Sequence, residues 1–174
     1  VGADGKTIDK TGVKFILNPY DEFTIEEGLR LREKFGGTVT ALTVGGESAK
    51  EILRTALAMG VDKAVIVKDE TKDDSYSVAV NIAEVAKSMS PDVVVVGRQS
   101  IDYDSFGMAS MVGELLGMAS ISVVSSWSID GTNVTAERDI EGGKEVVQAS
   151  LPCVISAQKG LNDPRYPKLP DIMK

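Results

Sequence analysis

The residues best suited to chemistry crowd into one polar loop. It lies between a run of four valines, Val93 to Val96, and an apolar-periodic segment that starts at Ser105 and closes at Gly117. Gly97 lets the backbone turn tightly after the valines. Arg98 can neutralise an anion or enter an internal ion pair, the commoner fate of a lone arginine. The Gln99 amide both donates and accepts, so it can read a base or a ribose edge. Asp102 and Asp104 can cap the following helix, bind ribose hydroxyls or hold a metal, and capping is the default for aspartates at a helix start. Ser105 can cap as well, or donate its hydroxyl to a phosphate. Two other polar edges have the same setting: Asn18-Pro19-Tyr20-Asp21 ahead of a helix, and Gly45-Gly46 after a strand that ends at Val44. Each is a plain turn by default, but three such loops could converge on one nucleotide. No Walker loop and no GxGxxG is present.

The elements that must hold these loops alternate. Asn18-Pro19 ends an extended apolar run, Val13 to Leu17, because the residue before a proline is pushed out of the helical region. A helix follows up to Gly36-Gly37, with Thr24 and Glu27 at capping-box spacing. Thr38 to Val44 is β-branched and reads as a strand. Ser48 and Glu51 offer a second capping box for a helix ending at Gly60, and Lys63 to Lys68 is the next strand. The acidic loop Asp69 to Ser75 reads as solvated surface. A helix from Ser75 to Met89 turns Val78, Ile82, Val85 and Ala86 inward, and the valine strand comes next. Strands alternating with helices predict an α/β fold with a doubly wound, mostly parallel sheet covered on both faces. Ligands in such folds sit at the carboxyl ends of strands, against helix N-termini. After Gly117 the helical period stops. Asp130-Gly131 and Gly142-Gly143 are hairpin signals, so residues 133–140 and 144–151 read as antiparallel strands and 152–158 as a last buried one.

Composition narrows the function classes. The chain has 174 residues, 43% of them hydrophobic and 26% charged, enough for one domain with a sizeable core. A net charge of −7 argues against nucleic-acid binding, and no apolar run is long enough to insert in a membrane. Histidine is absent, which removes Ser–His and Cys–His nucleophilic pairs and histidine metal sites. Cys153 is the single cysteine, so no intramolecular disulfide can form, and its apolar setting makes it a buried structural thiol. The chain opens without methionine and both ends look cut, as expected of a piece of a longer chain.

The segments LNPYDE (17–22), RTALAMGVDKA (54–64), VVVGRQSIDYDS (94–105) and LNDPRYPKLPDIMK (161–174) together resemble the β subunit of electron transfer flavoprotein, over essentially the whole chain. The resemblance implies an electron carrier rather than an enzyme, with no catalytic side chain and no metal. It implies a heterodimer with an α subunit that holds most of one shared FAD, and an AMP in the β subunit, replaced by a second FAD in electron-bifurcating members. The family's nucleotide loops fall on Asn18, Pro19, Tyr20 and Asp21, on Val44, and on Gln99, Ser100, Ile101, Asp102, Tyr103, Asp104, Ser105, Phe106, Gly107, Met108, Ala109 and Ser110. Residues 1–159, with the antiparallel segment 120–150, would be the nucleotide-binding domain. Residues 160–174 would be a recognition loop for acyl-CoA or other flavin dehydrogenases, through Tyr166, Leu169, Ile172 and Met173, with Leu169 as the anchor. A cytoplasmic location is implied, or the mitochondrial matrix in a eukaryote.

This sequence also departs from the family. Members usually begin with one more strand and end with an extension onto the α subunit. Many carry Thr-Gly-Gln-x-Gly after the second loop aspartate, where this chain has Ser105-Phe106-Gly107-Met108-Ala109. Two other readings share parts of the pattern. One is a free-standing adenine-nucleotide sensor of the universal-stress type, in which segment 120–150 and the proline-rich tail have no evident job. The other is a small enzyme using Asp102 or Asp104 as a general base, with no activated nucleophile beside it.

Overall fold

The computed structural model describes residues 1, 2, 5, 9, 11–69 and 74–167. Helix α1 (Pro19–Phe35) starts at Asn18, which has extended φ and ψ of −60° and 129°. Proline at the first helical position has no N–H to lose and a φ already suited to the helix. The helix therefore begins five residues ahead of Thr24, and the expected Thr24–Glu27 capping box does not form. Thr24 instead donates to the Tyr20 carbonyl at 3.3 Å, and Glu27 is buried. The run from Val13 to Leu17 forms no strand; Val13, Phe15 and Ile16 are exposed.

Strand β1 (Thr40–Val44), helix α2 (Ala49–Met59), strand β2 (Lys63–Val67), helix α3 (Ser75–Met89) and strand β3 (Val93–Gly97) then alternate as the sequence predicts. Ser48 sits at the α2 N-cap without a side-chain bond, so that capping box is also absent. Asp74 caps α3, accepting from Ser77 N at 2.8 Å. The buried stripe of α3 is Ala79, Ala83 and Ala86; Ala86 and the core-packed Ile82 face inward as the periodicity predicts, while Val78 and Val85 are only partly buried. Small residues there let α3 pack closely against α4 (Met108–Leu116).

Beyond α4 come β4 (Ala119–Asp130), β5 (Asn133–Ile140), β6 (Gly143–Ser150) and β7 (Cys153–Ala157). The two glycine turns make β4, β5 and β6 an antiparallel meander. Strand β7 then returns between β3 and β4, parallel to both, with all five of its residues buried. Cys153 lies there, fully buried, and burial pushes its thiol above the ordinary range. The fold is α/β, but the strands make two sheets rather than one: a parallel pair β1-β2 and a mixed sheet in the order β3-β7-β4-β5-β6. Among the described residues no strand joins β1 to β3. Alternation along a chain reveals which segments are strands, while adjacency depends on long-range pairing that periodicity does not encode.

Three packing features bear on the site. Helix α1 packs across β3 and β7, so its first turn stands over the carboxyl end of β3. Gly113 of α4 faces Ser120, where a Cβ would lie 2.8 Å from the Ser120 Cβ, so helix and strand meet at backbone distance. Val123, in a bulge of β4, takes a φ of 61°, rare for a β-branched residue, and its N–H donates to the buried Ser156 hydroxyl at 2.7 Å.

Candidate functional site

Tight backbone contact builds the site at the carboxyl end of β3. A Cβ on Gly97 would sit 2.6 Å from Asp21 Oδ1 and 3.0 Å from the Tyr20 Cβ. Only glycine admits the first turn of α1 this close. The gain is a bond from the Gly97 N–H to Asp21 Oδ1 at 2.9 Å. Asn18 completes the junction, its Nδ2 donating to the Gln99 carbonyl at 2.9 Å and to Asp21 Oδ2 at 3.2 Å. Burial pushes the Asp21 carboxyl above its ordinary range, against the lowering effect of the bonds from Asn18, Gly97 and Thr24. Asn18 Oδ1 is buried and meets no hydrogen-bond donor among the described residues. Satisfied buried polar groups are the rule, so an orphaned acceptor at a strand end needs an explanation.

The loop after β3 folds back on itself. Gln99 Nε2 donates to Asp104 Oδ1 at 2.5 Å, and the Ser100 N–H donates to the Ser105 carbonyl at 2.9 Å. Asp102 accepts from the N–H of Tyr103. Asp104 takes a left-handed φ of 54°, which aspartate tolerates better than most residues. The Ser105 hydroxyl pairs with that of Ser75 at 2.8 Å, tying the loop to the start of α3. Helix α4 therefore begins at Met108 rather than Ser105, and its N-cap is Gly107, which has no side chain to offer. Neither aspartate nor Ser105 caps it. Among the described residues no side chain caps the first-turn N–H groups at Met108, Ala109 and Ser110, the arrangement that favours an anion. Ile101, Tyr103 and Phe106 are exposed around this loop.

Among the described residues Arg98 enters no ion pair. Its Nη1 donates to Gln158 Oε1 at 3.4 Å, and its guanidinium stands 6.0 Å from the Tyr20 ring centroid. The Arg98 Nε is buried without a partner. Val44 ends β1, in the other sheet, and no hydrogen bond among the described residues joins it to the Asn18 cluster. Of the recognition-loop residues, Tyr166 is 92% exposed; Leu169, Ile172 and Met173 lie outside the described residues. Sequence reasoning missed Ser75 and Gln158 as supports of the loop, and neither stands in a pattern that marks it. It named Asp21 without its bond to Gly97, for which a glycine at a strand end was the available signal.

Comparison with known proteins follows the same lines. Residues 5–174 match the family model of the electron transfer flavoprotein domain. The electron transfer flavoprotein subunit beta of Bacillus subtilis (strain 168) is 45% identical over 170 residues, covering 96% of this chain and 66% of its own. The subunit of that name from Dictyostelium discoideum is 35% identical over 175 residues, covering 100% and 70%. Protein FixA of Azotobacter vinelandii is 36% identical over 177 residues, covering 97% and 63%. The chain thus spans about two thirds of the length of these curated relatives.

Proposed function

The chain belongs to the electron transfer flavoprotein family, as a β subunit, and from that premise we propose that it pairs with an α subunit to relay electrons through a shared FAD. The donors would be acyl-CoA or other flavin dehydrogenases, and the acceptor a respiratory or other redox partner. No side chain acts as an acid, base or nucleophile in this reading. The flavin, when bound, supplies the redox chemistry, and this chain binds, orients and shields.

The same reading gives the β3 end an AMP, or a second FAD if the protein bifurcates electrons. Two observations carry it together, the buried Asn18 Oδ1 beside Gln99, unpartnered among the described residues, and the uncapped first turn of α4. An adenine nucleotide has donors for the first and a phosphate for the second. Gln99 and Asp104, already paired, would hold the loop closed around the ligand. Val44, on the other sheet, would line the pocket from the side of β1. Within the loop of residues 160–174, Tyr166, Leu169, Ile172 and Met173 would face the dehydrogenase, with Leu169 as the anchor. The location would be the cytoplasm, or the mitochondrial matrix in a eukaryote; among the described residues no helix is long and apolar enough to cross a membrane.

Acid extraction of the full-length protein, followed by mass spectrometry, tests the reading. FAD with AMP, or FAD alone at two per heterodimer, is expected in a preparation that co-purifies with an α subunit. Finding neither nucleotide sinks the site assignment. A stable homodimer that binds ATP without such a partner would turn the reading to the universal-stress class.

A further inference from the structure

The middle of α1 carries two adjacent glutamates, Glu26 and Glu27, each only 5% exposed. Buried carboxylates persist where charged or polar donors meet them, and here every donor but one comes from far along the chain. Glu27 accepts from Trp127 Nε1 at 2.7 Å and from Asn162 Nδ2 at 2.8 Å, with Arg30 at 3.4 Å. Glu26 takes a two-pronged bond from Arg165, Nε to Oε2 at 2.8 Å and Nη2 to Oε1 at 2.9 Å, and the Arg165 backbone N–H adds a third at 3.1 Å. The remaining Arg165 prong, Nη1, reaches Glu33 at 2.7 Å, two turns further along α1. These partners hold the Glu33 carboxyl below, and the Arg165 guanidinium above, their ordinary ranges.

The two anchors differ in what they secure. Leu161 is packed in the core of the mixed sheet, and Asn162 also donates to the Phe23 carbonyl at 2.9 Å, so the chain is fastened to α1 by residue 162. A second, ionic anchor three residues later adds little to closing the fold. It fixes where and in which direction the chain leaves α1, because the next residue, Tyr166, stands in solvent.

We propose that the Glu26–Arg165–Glu33 clasp is a positioning device for partner docking, setting the point and direction from which the segment beyond Tyr166 is presented to a flavin dehydrogenase. The proposal rests on the reading of that segment as the docking element with Leu169 as its anchor. Arg165 and the two glutamates are positioning residues, acting through the segment they hold. Leu169 is four positions beyond Arg165, a tether of at most about 14 Å. With the clasp open the last fixed residue is Asn162, and the tether grows to seven. The local concentration of a tethered group falls with roughly the 3/2 power of the number of residues to its anchor, so about a two-fold loss follows from length alone, with lost orientation adding to it.

The test is steady-state electron exchange between the full-length flavoprotein and a dehydrogenase, as a function of dehydrogenase concentration. Five proteins are compared: wild type, Glu33→Gln, the double variant Glu26→Met with Arg165→Met, the single variant Arg165→Lys, and Leu169→Ala. Glu33→Gln removes one prong at the surface and leaves Glu26 paired. The double variant removes the buried Glu26 carboxylate together with its half-buried Arg165 partner and so leaves no buried charge unpaired. Expected is a rise in KM for the dehydrogenase of about two-fold or more in the double variant and less in Glu33→Gln, with kcat and bound flavin at the wild-type level. Restoring the pair as Glu26 with Arg165→Lys should recover part of the KM, since lysine keeps the charge without the fork. If Leu169→Ala raises KM and the double variant does not, the clasp is overturned while the docking segment stands. If KM is unchanged in Leu169→Ala as well, the docking reading has failed and the clasp with it. A parallel loss of flavin and kcat makes the clasp a fold contact and overturns the proposal.

Discussion

Replacing Gly97 by alanine should separate α1 from β3 and show how much of the site depends on one missing methyl group. The new Cβ would lie 2.6 Å from Asp21 Oδ1, closer than real Cβ contacts come, and 3.0 Å from the Tyr20 Cβ. Asp21 cannot swing aside without giving up the Gly97 N–H at 2.9 Å and the Asn18 amide at 3.2 Å. Overpacking of this kind costs about 1–3 kcal/mol, and a buried group left without its hydrogen bond a further 1–3 kcal/mol or so. The expected loss is about 2–6 kcal/mol, a large part of the ~5–15 kcal/mol that holds a domain together. With an m-value of about 2 kcal/mol per molar urea, the midpoint should fall by roughly 1–3 M. Trp127 is the single tryptophan, so its emission reports unfolding directly. A double-mutant cycle isolates the clash: in an Asp21→Ala background the carboxylate is gone, and Gly97→Ala should cost at least ~1 kcal/mol less. Equal costs in both backgrounds, or a Gly97→Ala midpoint at the wild-type value, would refute the argument that the glycine exists to admit Asp21.

Three further perturbations probe the same architecture. Because burial raises the Asp21 carboxyl pKa above its unfolded value of 3.8, the folded state binds the proton more readily, and this group destabilises the fold as pH rises through its folded pKa. The urea midpoint of wild type should therefore rise relative to that of Asp21→Asn as pH falls from neutral toward the unfolded value, and parallel curves would remove the effect. Asp104→Ala deletes the acceptor of the 2.5 Å bond from Gln99, so bound nucleotide, measured by extraction, should drop; unchanged content confines Asp104 to loop shape. Trp127→Phe keeps most of the apolar ring but leaves the buried Glu27 Oε1 without its 2.7 Å donor, which should cost about 1–3 kcal/mol. Thermal unfolding followed by circular dichroism checks it, and a loss below ~0.5 kcal/mol would mean that water replaces the indole.

Local signals account for what was legible in advance. Gly60 and Gly117, both left-handed at helix ends, stop α2 and α4 where glycine predicts. Asp130-Gly131 and Gly142-Gly143 place both hairpins, and the alternation of β-branched runs with helical periods finds the strands on either side of α3. Helix starts were less legible, since Thr24 and Ser105 carry capping chemistry but lie where the backbone is already helical or still in the loop. A cap is selected by where the helix can begin, which Pro19 and the Ser75–Ser105 pair decide.

By itself, then, the sequence determined the element types, the turns, the loop that carries the polar side chains, and the resemblance that runs through its motifs. These are properties of residues near one another along the chain. Only the tertiary structure decided that β7 returns between β3 and β4, that the strands divide into two sheets, and that Asp21 reaches Gly97 across 76 positions while Arg165 reaches Glu26 across 139. Such contacts become favourable when burial makes unpaired polar groups costly. Burial is a property of the assembled fold, so no window of sequence contains it.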